Sequence, residues 1–236
     1  MKSKSEQMLE ENRLMQDWER HWQECHSTYP YFNRDGIVNY SQWMQMPVGK
    51  HILVILKETD ALQGSLAEFL DYGGSDTYYR TWNNVARWVR MILDGTYLDR
   101  IDREVLDKTV REIAAINLKK YAGGTKANSR EVKAIALDDL KLLKRQVRLY
   151  EPDIILTGGW GLVSDFLHDY ILEEPCLWYD PRQREDQEND PDLWYFWTHK
   201  ICESKSTLVI SMPHPNRAAK RWTLELKKVL IREKIQ

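Results

Sequence analysis

The stretch Ile52-Leu53-Val54-Ile55-Leu56-Lys57-Glu58-Thr59-Asp60 decides the fold, because five consecutive apolar residues end abruptly in charged and polar ones. A short apolar run without polar alternation is typical of a strand that is buried on both faces of a sheet. The stretch therefore predicts a first core strand at residues 51–56, with two carboxylates just beyond its carboxyl end.

Three later apolar runs end in the same way, each in a different kind of polar group. The runs at residues 113–116, 154–157 and 208–210 lead respectively into Asn117-Leu118-Lys119-Lys120, Gly158-Gly159 and Ser211-Met212-Pro213-His214-Pro215-Asn216. In open α/β sheets, ligands bind outside the carboxyl ends of the strands. The sequence thus predicts that a carboxylate, a carboxamide, a glycine turn and an imidazole meet at one rim.

Helical patterns separate these runs and set the fold class. Apolar residues recur at three or four positions in stretches at about 5–26, 77–93, 101–110, 129–150, 162–170 and 217–234. Alternating strands and helices predict an α/β fold of three layers, α/β/α, around a mostly parallel sheet of four strands. Residues 193–198 are predicted to add an edge strand. We expect a single domain over 1–236, with a helix and loop extension at 1–45 and a core at 50–232.

The charge is nearly balanced but unevenly distributed. A net charge of −2 argues against a strongly basic nucleic-acid binder. Residues 117–148 nevertheless hold nine basic and three acidic side chains, and residues 217–236 hold seven and two, whereas 165–192 hold two and ten. The basic zones are either one phosphate-facing patch or two solvated helix faces.

The three cysteines indicate a reducing compartment and no metal centre. Cys25, Cys176 and Cys202 are far apart and form no C-x-x-C pair, so no zinc or iron–sulfur ligand set is predicted. No apolar run approaches the ~20 residues of a membrane span. We expect a cytoplasmic, monomeric protein without a cofactor.

Four short landmarks resemble those of the uracil-DNA glycosylase superfamily over about residues 50–232. The segment at 54–60 resembles the water-activating loop after strand one, with Glu58 on the family's Glu, and 116–120 resembles the landmark whose Asn reads the base edge. The segment at 151–159 resembles the family's strand with the pattern Pro-x-h-h-h-x-x-Gly (h, hydrophobic), which precedes a helix. The segment at 212–216 resembles the His-Pro-Ser loop that approaches the base and the DNA.

The chain departs from that pattern in three places. Lys57, Thr59 and Asp60 stand where the first loop normally carries glycine and proline. Asn216 replaces the usual serine. The four cysteines of the iron–sulfur branches are missing.

The resemblance implies a fold, an activity and a set of residue roles. It implies base excision from DNA by hydrolysis of the N-glycosidic bond of a flipped uracil or related base. Glu58, or secondarily Asp60, would activate water, and His214 would stabilise the leaving oxygen. Asn117 would bind the base edge, and the stacking aromatic would be Tyr72, Tyr78 or Trp82. Phosphate and DNA contacts would come from Lys119, Lys120, Asn216, Arg217 and Lys220. No metal is required.

Two other interpretations remain open. The fold is also compatible with a catalytically inactive module that binds a nucleotide or nucleic acid, which the altered first loop and the negative net charge favour. An unrelated doubly wound hydrolase is weaker, because G-x-S-x-G, P-loop and G-x-G-x-x-G motifs are missing. The acidic segment at 173–192 would gate the site or meet a partner protein.

Overall fold

The computed structural model shows an α/β protein in which helices cover both faces of one sheet. It describes residues 3–59, 62–74, 79–123, 127–172, 194–202, 205–217, 220–232 and 234. The helices are α1 (Lys4–Cys25), α2 (Tyr40–Trp43), α3 (Leu66–Asp71), α4 (Tyr79–Asp94), α5 (Arg103–Arg111), α6 (Ser129–Asp138), α7 (Leu140–Tyr150), α8 (Leu162–Phe166) and α9 (Lys220–Arg232). The strands are β1 (Gly36–Ile37), β2 (Ile52–Glu58), β3 (Ala114–Lys119), β4 (Ile154–Gly158), β5 (Trp194–Cys202) and β6 (Lys205–Met212).

The described strands form one sheet in the order β1-β3-β2-β4-β6-β5. The four inner strands are mutually parallel, and the outer strands β1 and β5 pair antiparallel with their neighbours. The predicted core of four parallel strands and the predicted edge strand near residue 193 are therefore confirmed. The two-residue strand β1 was not predicted, because so short a segment carries no periodicity.

Alternate residues of the inner strands point into two separate cores. Leu53, Ile55, Ile155 and similar side chains pack against α1, α6, α7 and α8. Ile52, Val54 and similar side chains pack against α3, α4, α5 and α9 on the other face. Strands buried on both faces have no polar side for water, which is why the sequence shows unbroken apolar runs.

Two predicted element boundaries are wrong, and both corrections affect the site. The second core strand extends to Lys119, so Asn117 and Lys119 lie within β3 rather than in a loop after it. The pairing with β2, which places Glu58 opposite Lys119, continues the strand past its last apolar residue. The helix predicted at 129–150 is two helices, α6 and α7, which meet at Asp139.

Helix α1 is joined to the sheet through a buried polar contact. Glu11 accepts hydrogen bonds from the Tyr150 hydroxyl and from the Ile37 backbone N–H. Burial raises the pKa of Glu11 to about 7, against the opposing effect of these two donors. The folded chain thus holds a proton that the unfolded chain releases above pH 4.5.

We expect Glu11 to make the folded state less stable as the pH rises. A raised pKa contributes stability that is present below about pH 4.5 and is lost as the pH rises through about 7. A shift of this size corresponds to about 3 kcal/mol of unfolding free energy. Glu11→Gln, which keeps an acceptor for both donors, should remove this loss and be the more stable protein at pH 8. Urea unfolding at pH 5 and pH 8 measures the effect.

Glu24→Gln, at an exposed position of the same helix, is the control and should leave the pH dependence of stability as it is in the wild type. If Glu11→Gln also keeps the wild-type pH dependence, the assignment to Glu11 is contradicted.

Among the described residues, no helix has the length and apolar character needed to cross a bilayer. The acidic segment at 173–192 lies outside the described residues.

Candidate nucleobase site

The carboxyl ends of the inner strands surround a cavity of about 220 Å³. Its polar lining consists of Lys57, Glu58, Thr59, Thr81, Asn117, His214 and Asn216. Its apolar lining consists of Leu56, Leu62, Leu66, Phe69, Trp82 and Ala127. We call this space the rim cavity. It brings together the three side chains that the sequence predicted would meet, namely Glu58, Asn117 and His214.

Register places Glu58 and Asn117 on adjacent strands. Glu58 is the last residue of β2, and Asn117 of β3 pairs with Leu56. Side chains two residues apart along a strand share a face, so Leu56 and Glu58 both point towards the α3–α4 side of the sheet. Gly158 at the end of β4 completes this wall, because a Cβ atom there would overlap the Leu56 side chain and press on Pro215. The glycine thus lets the His214 loop lie close to the sheet.

The backbone of Asn117 is fixed on both sides. Its N–H donates to Asp35 Oδ2 at 2.7 Å, and its carbonyl accepts from Lys120 Nζ at 2.6 Å. Lys120 Nζ also contacts Asp35 Oδ2 at 2.8 Å, and Gln146 donates to Asp35 Oδ1 at 2.9 Å. Strand β1 begins at Gly36, which pairs with Ala115, so the Asp35 carboxylate replaces the missing strand neighbour further along the edge of β3. We call Asp35, Lys120 and Gln146 the Asn117 clamp.

The Asn117 carboxamide has an unused acceptor. The residue is 2% exposed, and Oδ1 is a buried oxygen without a hydrogen-bond partner. A buried polar atom without a partner costs about 1–3 kcal/mol. A ligand in the rim cavity with an N–H donor at its edge would satisfy it.

The Glu58 carboxylate is held on one side by a lysine. Lys119 Nζ lies 2.8 Å from Glu58 Oε2 and 2.7 Å from Glu131 Oε1. Gly123 packs directly against the carboxylate, and a Cβ atom at that position would overlap it. The side chain of Glu58 is only 5% exposed. One oxygen is therefore fixed by the ion pair, and the residue still borders the cavity.

The His214 ring is held in one orientation. The Asn216 backbone N–H donates to His214 Nδ1 at 3.3 Å, which leaves the proton of a neutral ring on Nε2. Burial, together with the nearby charges of Lys57 and Arg217, holds the pKa of His214 below its usual value of 6.5. The loop is anchored to α4, because Asn84 Nδ2 donates to the Pro215 carbonyl at 2.6 Å. A neutral His214 ring in this orientation can donate a hydrogen bond through Nε2.

The structure places two of the residues predicted to contact phosphate, Lys119 and Lys120, inside the protein. Lys119 and Lys120 are 2% and 1% exposed, and each pairs with a buried or partly buried carboxylate. Both ammonium groups are therefore already occupied by carboxylates of the same chain. The sequence analysis did not predict this burial, because two adjacent lysines normally indicate a solvated turn.

The other predicted contacts have mixed outcomes. Asn216 and Arg217 are exposed, and Asn216 borders the cavity. Lys220 is exposed and ion-paired with Asp99. Within the described ranges, neither Lys57 nor Arg217 has a carboxylate partner, so both leave positive charge near His214.

The three aromatic residues predicted to stack on the base also have different outcomes. Trp82 lines the cavity. Tyr72 is 83% exposed and is not part of its wall. Tyr78 and Asp60 lie outside the described residues. The sequence analysis missed Phe69 and Lys57, although the 3–4 spacing of Leu66, Phe69 and Leu70 indicates a short amphipathic helix.

Among the described residues, the one grouping of histidine and acidic side chains close enough to share an ion is His21, His26 and Asp139, on the opposite face of the sheet. Comparison of the chain with models of protein families and with curated protein sequences gives no match.

Proposed function

We propose that the rim cavity binds a single nucleobase and that the protein hydrolyses the N-glycosidic bond of a flipped uracil or related base in DNA, on a uracil-DNA glycosylase-like fold. The observation that carries the proposal is the convergence of Glu58, Asn117 and His214 on one cavity. Pockets for drug-sized ligands measure about 300–1,000 Å³. A cavity of about 220 Å³ is suited to one heterocycle, with the sugar and phosphates left outside.

The polar groups divide the work of base recognition. The unpaired Asn117 Oδ1 would accept a ring N–H, and Nδ2 would donate to an adjacent carbonyl, which together match the edge of uracil. Trp82 and Phe69 supply aromatic surface beside the ring. Base–aromatic stacking contributes about 1–3 kcal/mol per base.

The bond-breaking step would use the remaining two side chains. Glu58 orients a water molecule whose oxygen bonds to C1′ of the sugar and whose proton passes to the carboxylate. The N-glycosidic bond breaks with its electron pair remaining on the base. The Nε2–H of neutral His214 donates to the base oxygen on which negative charge develops.

The direct test measures base release. The purified protein is incubated with single- and double-stranded oligonucleotides that contain one uracil, and abasic sites are detected by strand cleavage in alkali. We expect abasic sites with wild type, and at least about a hundredfold fewer with Asn117→Asp, which replaces the donor amide with an acceptor. Oligonucleotides with thymine at the same position are the matched control. If the wild-type protein releases no base from the single-stranded or the double-stranded uracil oligonucleotide, the proposed hydrolase activity is contradicted.

A binding module without hydrolysis is the second candidate, and the Glu58–Lys119 ion pair favours it. One Glu58 oxygen already contacts the Lys119 ammonium at 2.8 Å, so that oxygen is occupied and is not available to orient a water molecule. The module is distinguished by binding without cleavage. Binding of uracil-containing single strands should then weaken steeply with salt, and Lys57→Gln with Arg217→Gln should reduce that slope.

The pH dependence of base release tests the state of His214. Because the pKa of His214 is lowered from its usual value of 6.5, the ring gains its charge at a lower pH than a free histidine does. If its role is that of a neutral donor held by Asn216, we expect a rate that is flat at neutral pH and falls in acid, with a midpoint below pH 6.5. His214→Gln should lower the rate and lose this dependence. The rates are compared between pH 4.5 and 8.5, and a rate that rises with acidity across this range would contradict the neutral form.

A further inference from the structure

A cluster of two histidines and one aspartate lies away from the rim cavity, and the proposed function does not use it. His21 and His26, near the carboxyl end of α1, face Asp139 at the junction of α6 and α7. Their Nε2 atoms lie 3.2 and 3.7 Å from Asp139 Oδ1. One ligand atom from each of the three residues lies within 4.8 Å of the other two.

These short distances between the histidines and Asp139 do not amount to hydrogen bonds. The Nε2 atoms of both histidines and Oδ2 of Asp139 are buried without a hydrogen-bond partner. The imidazole nitrogens therefore approach the carboxylate without the alignment of a hydrogen bond. A cation bound between the two imidazole nitrogens and the carboxylate would satisfy these atoms.

The position of Asp139 is a second, independent observation. It is the residue before the first turn of α7, where an aspartate commonly accepts from the backbone N–H groups of that turn. Its side chain makes no such capping bond. The carboxylate turns instead towards the two histidines and accepts from the Tyr121 hydroxyl at 3.2 Å.

We propose that His21, His26 and Asp139 bind a divalent transition-metal ion of the zinc type. Tetrahedral zinc, with bonds of about 2.0–2.1 Å, holds neighbouring ligand atoms about 3.3 Å apart. The two nitrogen–oxygen distances lie on either side of that value, and small side-chain rotations would bring all three atoms onto one ion. Imidazole ligands select zinc, cobalt, nickel or copper over magnesium and calcium.

The surroundings fit such an ion. The side chain of His21 is about 29% exposed, which gives an entry path and leaves a fourth position for water. The rings of His21 and His26 are perpendicular, with centroids 5.5 Å apart, so both can present a nitrogen to one point. Tyr121 then orients the carboxylate as an outer-shell donor. The ion would fasten the end of α1 to the α6–α7 junction.

The sequence analysis expected no metal, and the reason is the spacing. His21 and His26 are five residues apart, and Asp139 follows far along the chain with no cysteine near it. The site is assembled by packing of helices, and such a site leaves no local motif.

The test uses the tag-free full chain, stripped of metal with a chelator. Zn²⁺ binding is measured by equilibrium dialysis, and Co²⁺ binding by its visible absorption. We expect one ion per chain, a higher melting temperature with Zn²⁺ than with chelator, and affinity at least about tenfold weaker in His26→Gln and Asp139→Asn. His168→Gln, which changes a histidine outside the cluster, should bind like wild type.

Two controls keep the result decisive. His21 is the half-buried member of the cluster, so His21→Gln disturbs the core less than the other two substitutions do. It therefore tests metal ligation even if the variants at the buried positions fail to fold. Tyr121→Phe should weaken binding moderately, because it removes only the outer-shell donor. The proposal is overturned if wild type shows no saturable binding, if His21→Gln and His26→Gln bind as tightly as wild type, or if His168→Gln abolishes binding.

Discussion

Glu58→Gln should lower the rate of base release by about 10²–10⁴-fold, the range that general acid–base groups contribute. The amide keeps the size of the carboxylate and its place against Gly123 and Lys119, but it cannot take a proton from water. Binding of a uracil-containing strand should change little, because the base edge is read by Asn117. Single-turnover rates and strand affinity, measured on the same preparation, separate the two effects.

Glu131→Gln is the matched control for this prediction. Glu131 contacts the same Lys119 ammonium at 2.7 Å but does not line the rim cavity. Its substitution removes the same charge from the same lysine, so it reports how much of the effect comes from freeing Lys119. We expect a change of only a few fold. Equal losses in both variants would assign Glu58 a structural role and favour the binding module.

Lys120→Met should destabilise the fold by about 3–5 kcal/mol, the cost of leaving one member of a buried ion pair without its partner. Lys120 is paired with Asp35 at 2.8 Å in a fully buried site. Its loss also removes the donor to the Asn117 carbonyl, so strand affinity should fall together with stability. Denaturant unfolding followed by circular dichroism gives the free energy.

Removing the second charge should restore part of the loss. In Lys120→Met with Asp35→Asn, no uncompensated charge remains, and the amide can still accept from the Asn117 N–H. Lys141→Met, at an exposed position of α7, should change the unfolding free energy by less than about 0.5 kcal/mol. A loss below about 1 kcal/mol in Lys120→Met would show that the pair is not the main support of the β3 edge.

The layers of the fold were readable from the sequence because burial on both faces leaves an unambiguous pattern. Residues 52–56 and 208–210 are apolar without interruption, and the structure places both in parallel inner strands. Strand ends were less readable. The alternation of Asn117, Leu118 and Lys119 looked like a loop, since nothing local shows that Glu58 and Asp35 lie opposite them.

The residues of the candidate site likewise differ in how far local sequence could predict them. Glu58, Asn117 and His214 were found because each follows an apolar run, and strand topology alone brings them together. The roles of Lys119 and Lys120 depended on acids 61 and 85 residues away, which no local pattern reports. The wall formed by Phe69 and the exposure of Tyr72 depended on how α3 packs, which is likewise a matter of tertiary structure.

The Asn117 clamp has a consequence for changing what the protein recognises. Its two hydrogen bonds to position 117 go to the peptide groups, and the side chain takes no part in them. Serine, glutamine or aspartate at this position would therefore inherit the same backbone placement while presenting a different pattern of donors and acceptors. A small library at this single codon is thus the natural starting point for engineering new ring selectivity without redesigning the scaffold.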